Sequence, residues 1–134
     1  APTLLEAAGL PVPKDMQGLS ILPLLEGNEA AWDREAVYYH YYEYPAVHMV
    51  KRHYGIVTKE YKLAHFYYDV DEWELYDRLA DPLEINNVYD DPAYAKVVKR
   101  LKKELKALRK HYGDSPKLDR KYIEIYREKG WIKD

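Results

Sequence analysis

Histidine is the residue type in this sequence with the widest range of chemistry, and four of the five histidines lie within one stretch of the chain. An imidazole can bind a metal, exchange a proton near neutral pH or exchange hydrogen bonds with a sugar hydroxyl. The spacing of these histidines matches no metal-binding pattern, and no neighbouring carboxylate completes one. We therefore expect no metal to be held by the four, which are His40, His48, His53 and His65.

Nucleophilic catalysis finds little support in the rest of the sequence. Ser20 and Ser115 lie beside prolines that favour turns, and neither lies in the G-x-S-x-G setting of a hydrolase nucleophile. The sequence has no cysteine, which excludes a thiolate nucleophile, a disulfide framework and a zinc–thiolate site within these residues.

Four acidic residues lie close together in the sequence, just after His65. This group could bind a hard cation, but it lacks the glycine and the ligand periodicity of a calcium-binding loop. We expect a solvated turn instead, formed by Asp69, Asp71, Glu72 and Glu74.

The histidines need a scaffold, and residues 36–77 predict one. Valine, isoleucine and tyrosine alternate with other residues along three runs, which is typical of half-buried strands. A fourth run is shorter, and two-residue and four-residue connections follow the second and third runs. We expect a four-stranded antiparallel meander with strands at 36–42, 49–58, 61–68 and 73–76.

A helix at 92–112 follows the predicted sheet. Asp91 can cap it, and Pro92 suits its first position. Apolar residues recur every three or four positions and form one stripe that should pack across the sheet. The stripe consists of Tyr94, Val97, Val98, Leu101, Leu105, Leu108 and Tyr112. The fold class is therefore α+β.

The opposite face of that helix is strongly basic. No aromatic residue is interleaved with the basic ones, so a solvated helix face is favoured over a nucleic-acid-binding face. The basic residues are Lys96, Lys99, Arg100, Lys102, Lys103, Lys106, Arg109 and Lys110.

The overall composition of the chain gives no case for nucleic acid or an acidic membrane as a partner. The net charge is −2, and no apolar run reaches the roughly 20 residues that span a bilayer. The chain has 15 tyrosines and one phenylalanine. Tyrosine buries a ring but keeps a hydroxyl that needs a partner, which suits either a sheet half covered by another part of the protein or a groove for a polar ligand.

The way in which the chain begins leads us to expect a piece of a larger protein. The chain opens inside a helical pattern without an initiator methionine, and residues 10–35 form a loop-rich connection. We expect an apolar N-terminal surface that has lost its partner, so the chain on its own should self-associate. That surface comprises Leu4, Leu5, Leu22, Leu24 and Leu25. A last helix is expected at 119–129.

Two sets of segments resemble a known family. The first covers 1–13 and 16–25; the second includes Tyr-Gly-Ile-Val-Thr at 54–58, Glu-Leu-Tyr-Asp at 74–77 and Asp-Pro-Leu-Glu-Ile-Asn-Asn at 81–87. In this order they resemble the C-terminal part of a type I sulfatase. The resemblance implies an alkaline-phosphatase-like α/β core followed by a smaller subdomain, in which a helix lies on a four-stranded antiparallel sheet.

The same resemblance implies where the chemistry lies. Type I sulfatases use a formylglycine, made from Cys or Ser in C-x-P-x-R or S-x-P-x-R, and a calcium ion held by acidic residues. Neither motif occurs here, since the run Ser-Ile-Leu-Pro at 20–23 does not fit. No cofactor is thus expected in these residues, and the parent would hold calcium and formylglycine in an N-terminal sulfatase domain. The family also implies a periplasmic, secreted or lysosomal location.

A narrower resemblance concerns the segment between the first two predicted strands. Tyr-Glu-Tyr-Pro at 42–45, followed by His48 and His53, is most similar to the branch that acts on 6-sulfated N-acetylglucosamine, although Ala-Val-His-Met at 46–49 replaces an expected Gly-Glu-His-Asn. The resemblance implies that His48 lines the substrate pocket and contacts the sugar, with His53 as a second substrate-binding candidate. The substrate would be a sulfated saccharide or an aryl sulfate.

Two hypotheses of different classes follow. In the first, residues 1–35 are the tail of a catalytic domain and its connector, 36–113 are the sulfatase subdomain, and 114–134 are an extension with a short helix. This subdomain would shape the substrate pocket and stabilise its parent enzyme, and would be inactive alone. In the second, the chain is a free-standing carbohydrate-binding module that uses its tyrosines. Whether the chain is itself an enzyme stays open.

Overall fold

Four antiparallel strands form the sheet that the alternating residues predict. In the computed structural model, which describes residues 1–45 and 47–132, the strands follow one another in the order β1-β2-β3-β4. They are β1 (Ala36–Tyr41), β2 (His53–Thr58), β3 (Tyr61–Phe66) and β4 (Glu72–Asp77). The meander is confirmed.

Two strands, β2 and β3, are shorter than predicted. The predicted run 49–58 becomes a strand only at His53, because Met49 has a φ of 51°, in the left-handed region that no strand uses. The predicted run 61–68 ends at Phe66, and Tyr68 has a φ of 65°. What the sequence presents as the start of a strand is therefore part of a longer loop.

The turn between β2 and β3 is held by a threonine in place of the glycine or asparagine that tight hairpins prefer. Thr58 Oγ1 accepts a hydrogen bond from the Tyr61 backbone N–H at 2.9 Å and donates one to the Tyr61 carbonyl at 3.1 Å. Both hydrogen bonds span the turn, so its geometry does not depend on a special residue at its tip.

Helix α3 (Ala95–His111) packs on one face of the sheet, as predicted from its apolar stripe. Leu101 and Leu105 are buried in one core cluster with three side chains of the sheet. These are Ile56, Leu63 and Leu75, which lie side by side on three neighbouring strands. The predicted helix 92–112 begins as a 3-10 turn, Pro92–Tyr94, whose cap Asp91 accepts a hydrogen bond from Ala93 N at 2.8 Å.

A second helix, α4 (Pro116–Glu128), completes the core of this unit through Ile123. It starts before the predicted 119–129, because Ser115 caps it with Pro116 in its first turn. Asp119, expected at the helix start, is buried instead and faces α3.

The chain divides into two compact units, Ala1–Glu35 and Ala36–Asp134. The first unit contains α1 (Pro2–Ala7), α2 (Leu22–Leu25) and a 3-10 turn, Glu29–Ala31. Within it, Thr3 Oγ1 accepts a hydrogen bond from Ile21 N at 3.1 Å. Among the described residues, no helix is both long enough and apolar enough to cross a bilayer.

Candidate functional site

The β1–β2 loop carries the first predicted site residue, His48, at an exposed tip. We define the loop tip as residues 47–50, of which Val47 is 94% exposed and Met49 63%. His48 is exposed as well. Exposed apolar side chains and an exposed imidazole thus share one loop, and such side chains can contact the face and the hydroxyls of a sugar.

A buried arginine anchors the base of this loop. Arg52 is 1% exposed, and its Nη1 donates to both carboxylate oxygens of Asp69, at 2.8 and 3.0 Å. Its Nη2 donates to the backbone carbonyl of Tyr44. We call these three residues the Arg52 clamp. The prediction of a solvated acidic turn is therefore wrong for Asp69, whose carboxylate is needed to neutralise a buried cation.

Aromatic rings surround the guanidinium of the Arg52 clamp. The rings of Tyr44, Tyr68 and Tyr126 have centroids 5.5–5.6 Å from its central carbon. Tyr44 also accepts a hydrogen bond at its hydroxyl from Lys51 Nζ at 2.8 Å. The loop is consequently fastened to the β3–β4 turn and to α4, while residues 47–50 at its tip are exposed.

His53, the second predicted site residue, lies in a different environment. It is half-buried at the start of β2, on the sheet face opposite α3, and its Nδ1 lies 2.8 Å from the Lys51 carbonyl. Its ring stacks on those of Tyr41 and Phe66, with centroids 5.6 and 5.0 Å away. No hydrogen bond or ring contact joins His48 to His53 in the part of the chain that the structure describes.

A buried group of charged side chains, which the sequence did not reveal, joins β1 to both helices. His40 Nδ1 lies 2.7 Å from Asp114 Oδ2, and Arg109 Nη2 donates to both oxygens of Asp119 at 2.8 and 2.9 Å. Arg109 Nε lies 3.3 Å from Asp114 Oδ2. We call His40, Arg109, Asp114 and Asp119 the buried cluster.

Tyrosines complete the buried cluster. Tyr38 donates a hydrogen bond to Asp114, the Tyr67 hydroxyl lies 2.7 Å from His40 Nε2, and the Tyr54 ring centroid lies 3.8 Å from the guanidinium carbon of Arg109. The cluster also touches the loop, because the ring of Tyr42 stacks on that of His40 with centroids 3.6 Å apart.

The protonation states in the buried cluster follow from its burial and its hydrogen bonds. Burial lowers the pKa of His40, in spite of the neighbouring Asp114 carboxylate. Burial alone would raise the pKa of Asp114, but hydrogen bonds from Tyr38 and His40 outweigh it and hold that pKa below its usual range. The geometry fits a neutral His40 that donates from Nδ1 to Asp114 and accepts at Nε2 from Tyr67.

The donor set of the buried cluster resembles a metal site, so its fit to calcium can be tested. One ligand-type atom from each of His40, Asp114 and Asp119 lies within 4.8 Å of the others. Calcium takes six to eight oxygen ligands. Here a nitrogen replaces one oxygen, and the Arg109 guanidinium already neutralises both carboxylates. The cluster does not fit calcium; it is suited to tying β1, α3 and α4 together.

The sequence offered only a partial signal for these residues. Tyr38 and His40 lie two residues apart in β1. Side chains two residues apart in a strand share one face, and here that face is covered. Asp114 and Asp119 are far from them in sequence, and the sequence pattern predicts Arg109 on the basic, solvated face of its helix. That prediction is wrong for Arg109, which is buried.

Comparison with known protein families gives one matching family model. Residues 1–111 match the model described as N-sulphoglucosamine sulphohydrolase, C-terminal. The match ends just before α4.

Individual proteins with similar sequence and structure agree with this family. The chain is 55% identical over 117 residues to an N-acetylglucosamine-6-O-sulfatase of Bacteroides thetaiotaomicron, covering 86% of this chain and 21% of that protein. It is similar to a protein solved with its substrate D-glucosamine-2-N,6-O-disulfate, with a TM-score of 0.79, 53% identity, and coverage of 86% of this chain and 24% of that one.

A more distant solved structure is described as a 2-O GAG sulfatase. It gives a TM-score of 0.73 at 29% identity, and the match covers 84% of this chain and 24% of that chain. This chain spans about a fifth of the length of the curated relatives it matches.

Proposed function

Since the chain belongs to the N-sulphoglucosamine sulphohydrolase C-terminal family, we propose that it forms the substrate-side subdomain of a sulfatase that acts on a sulfated glucosamine. The fold is the C-terminal part of the alkaline-phosphatase-like sulfatase fold. The observation that supports the substrate class is the 55% identity to an N-acetylglucosamine-6-O-sulfatase. The comparisons give no support to a free-standing carbohydrate-binding module.

Sulfate-ester cleavage itself belongs, in this proposal, to the remainder of the parent enzyme. A formylglycine would supply the nucleophile and a calcium ion the charge that stabilises the sulfate. These residues offer no Cys and no C-x-P-x-R or S-x-P-x-R run for the first, and the buried cluster does not fit the second. The chain's own contribution is to orient the sugar.

The division of the chain follows the same logic. We assign 1–35 to the end of the catalytic domain and its connector, and 36–113 to the subdomain. Residues 114–134 are an extension beyond the family match, yet Ile123 belongs to the core and the Tyr126 ring lies beside the guanidinium of Arg52. This extension supports the loop that carries His48.

His48 is the residue that we propose contacts the sugar. It is exposed, it is carried on a loop whose base is fixed by the Arg52 clamp, and a neutral imidazole offers one donor and one acceptor. His53 is the second candidate, through the half-open sheet face that it shares with Tyr41.

The experiment is a substrate comparison in the full-length enzyme. His48→Ala should lower kcat/KM on the sulfated saccharide by about tenfold, equivalent to roughly 1.4 kcal/mol, and leave a small aryl sulfate nearly unchanged, because only the saccharide reaches the loop tip. Met49→Ala, a neighbouring exposed residue, is the matched control and should have a smaller effect. Equal losses on both substrates with His48→Ala would refute the assignment.

A second experiment tests the location of the chemistry. The purified chain should not hydrolyse a chromogenic aryl sulfate, because it lacks the nucleophile motif. Turnover above a buffer blank that a chelator abolishes would show that the catalytic machinery lies within these residues.

Exposed leucines in the first unit could form a contact surface for a partner of this chain. Leu4 is 76% exposed and Leu25 68% exposed in the first unit. We propose that they contact the N-terminal catalytic domain in the parent and a second copy when the chain is alone. Sedimentation should show dimers or larger species at high micromolar concentration, and Leu4→Ser with Leu25→Ser should reduce them; a clean monomer would contradict this.

A further inference from the structure

Five lysines form a single line along the outer surface of α3. They recur at intervals of three and four residues and are all exposed, and none belongs to the face that packs on the sheet. At 100° per residue they lie within an arc of about 80°, and they extend along about 21 Å of the helix. We call this line the lysine stripe; it consists of Lys96, Lys99, Lys103, Lys106 and Lys110.

The basic residues beside the lysine stripe have hydrogen-bond or ion-pair partners. Arg100 pairs with Glu104 at 3.8 Å and Glu60 at 4.0 Å, and Lys102 donates to the Tyr89 hydroxyl at 2.6 Å. Within residues 1–45 and 47–132, no hydrogen bond or ion pair joins a stripe lysine to an acidic group. The chain has net charge −2, so this positive charge is locally concentrated.

The lysine stripe also works against the stability of its own helix. Its members are neighbours at i,i+3 and i,i+4, where like charges destabilise a helix by about 0.2–0.5 kcal/mol per pair. An ordinary solvated helix face alternates acidic and basic residues at this spacing and gains energy from the pairs. Glu104, the one acidic residue of α3, pairs away from the stripe.

We propose that the lysine stripe binds a sulfated polysaccharide chain at a second site, separate from the loop tip. Five unneutralised ammonium groups in a line complement a linear polyanion whose charges repeat along its length, and binding would relieve the repulsion between them. The identification of the polyanion as a sulfated polysaccharide, and not only its charge, rests on the proposed sulfatase function.

Two other classes of partner fit the lysine stripe less well. A nucleic-acid surface commonly includes aromatic side chains that stack on bases, and no exposed aromatic residue interrupts the stripe. A membrane-surface helix inserts an apolar face, whereas the apolar face of α3 is buried in the core through Leu101 and Leu105. Single-stranded DNA therefore serves as a discriminating probe.

The experiment measures binding of heparin, as a densely sulfated polysaccharide, to the purified chain at several salt concentrations. Replacing the three central lysines by glutamine should weaken binding by at least about tenfold at low salt. The slope of log K against log salt should fall by about one per lysine removed, because fewer counterions are released. The variant is K99Q/K103Q/K106Q.

A charge-matched control variant separates the effect of the lysine stripe from the effect of the chain's net charge. Three exposed lysines elsewhere, replaced in the same way, should leave heparin affinity within about twofold of the original, because long-range charge is screened beyond roughly 10 Å at 0.1 M salt. The control is K14Q/K59Q/K121Q. Equal losses in the stripe variant and the control would overturn the proposal, as would undiminished binding by the stripe variant.

Two further probes identify the ligand. N- and O-desulfated heparin should bind at least about tenfold more weakly than heparin, since fewer charges face the stripe. Tighter binding of single-stranded DNA than of heparin at equal salt would overturn the sulfated-polysaccharide assignment. In the full-length enzyme, the stripe variant should keep kcat/KM on a sulfated monosaccharide, which distinguishes failure of this second site from failure of the proposed function at His48.

Discussion

His40 and His48 lie close together in the sequence but in opposite surroundings. His40 is held in the buried cluster by Asp114 and Tyr67, and burial lowers its pKa. His48 lies exposed at the loop tip. The comparison teaches that residue type alone does not identify a ligand-binding histidine. A histidine with all its hydrogen-bonding capacity satisfied internally supports the fold, and one presented on a fixed loop can take a ligand.

The contrast extends to the surroundings of each residue. The buried cluster and the Arg52 clamp fasten both ends of the β1–β2 loop, through Tyr42 stacked on His40 and through Asp69 bound to Arg52. Between them the loop tip is left open. We expect substitutions in the buried parts to change stability and substitutions at the tip to change recognition.

The largest effect is expected where one partner of a buried charge group is removed. Arg109→Met leaves the carboxylates of Asp114 and Asp119 buried without their cation, which should destabilise the chain by about 3–5 kcal/mol. Urea unfolding followed by circular dichroism would measure it. Lys110→Met, a neighbouring exposed position, is the control and should change stability by less than about 0.5 kcal/mol. Similar losses in both variants would remove the distinction between buried and exposed charge.

A second prediction concerns the apolar packing beneath the buried cluster. Leu101 is fully buried between α3 and the sheet. Leu101→Ala should cost about 2–5 kcal/mol, the sum of lost apolar burial and a residual cavity. Thermal unfolding would record it as a fall in Tm, with Ala107→Ser on the exposed side of the same helix as the control. A Leu101→Ala variant as stable as the original would mean that α3 is not fixed on the sheet.

A smaller effect is expected from pH. Burial lowers the pKa values of His40 and His65 in the folded chain, so below the unfolded value of about 6.5 the unfolded state binds more protons. Stability should therefore fall as pH drops below about 6.5, by up to about 1.4 kcal/mol per pH unit for each histidine. Urea midpoints between pH 7.5 and about 5 would measure the slope.

The variant His40→Asn keeps a donor for Asp114 and removes the titrating ring, so about half of the slope should remain, from His65. A slope unchanged in this variant, or a stability that rises on acidification, would contradict the assignment of a neutral His40.

Much of the fold could be predicted because it depends on local periodicity. The alternation in β2 and β3 and the apolar stripe of α3 each reflect which face is buried, and those faces met as expected. The start of β2 could not be predicted in this way. The residue types of Met49, Val50 and Lys51 are typical of a strand, but the left-handed φ of Met49 and the Arg52 clamp hold this segment in the loop.

The candidate site was harder to predict from the sequence, because it depends on contacts between residues that are far apart in the chain. His40 meets Asp114 and Asp119 only after α3 and α4 have packed on the sheet, and no local pattern encodes a contact between residues so distant in the chain. Asp69 lay within an acidic run, and nothing in that run marked it as the member that turns inward to Arg52. His48 and His53 were found through family resemblance, and their roles stay predictions.

The most direct test of the division between buried support and exposed tip compares two single substitutions in the same chain. His40→Ala orphans Asp114 and the Tyr67 hydroxyl, and should lower the free energy of unfolding by about 1–3 kcal/mol for each buried group left without a partner. His48→Ala removes an exposed ring and should stay within about 0.5 kcal/mol of the original. Urea titration at pH 7.5 measures both. Equal free energies of unfolding for the two variants, or a larger loss at His48, would contradict the account.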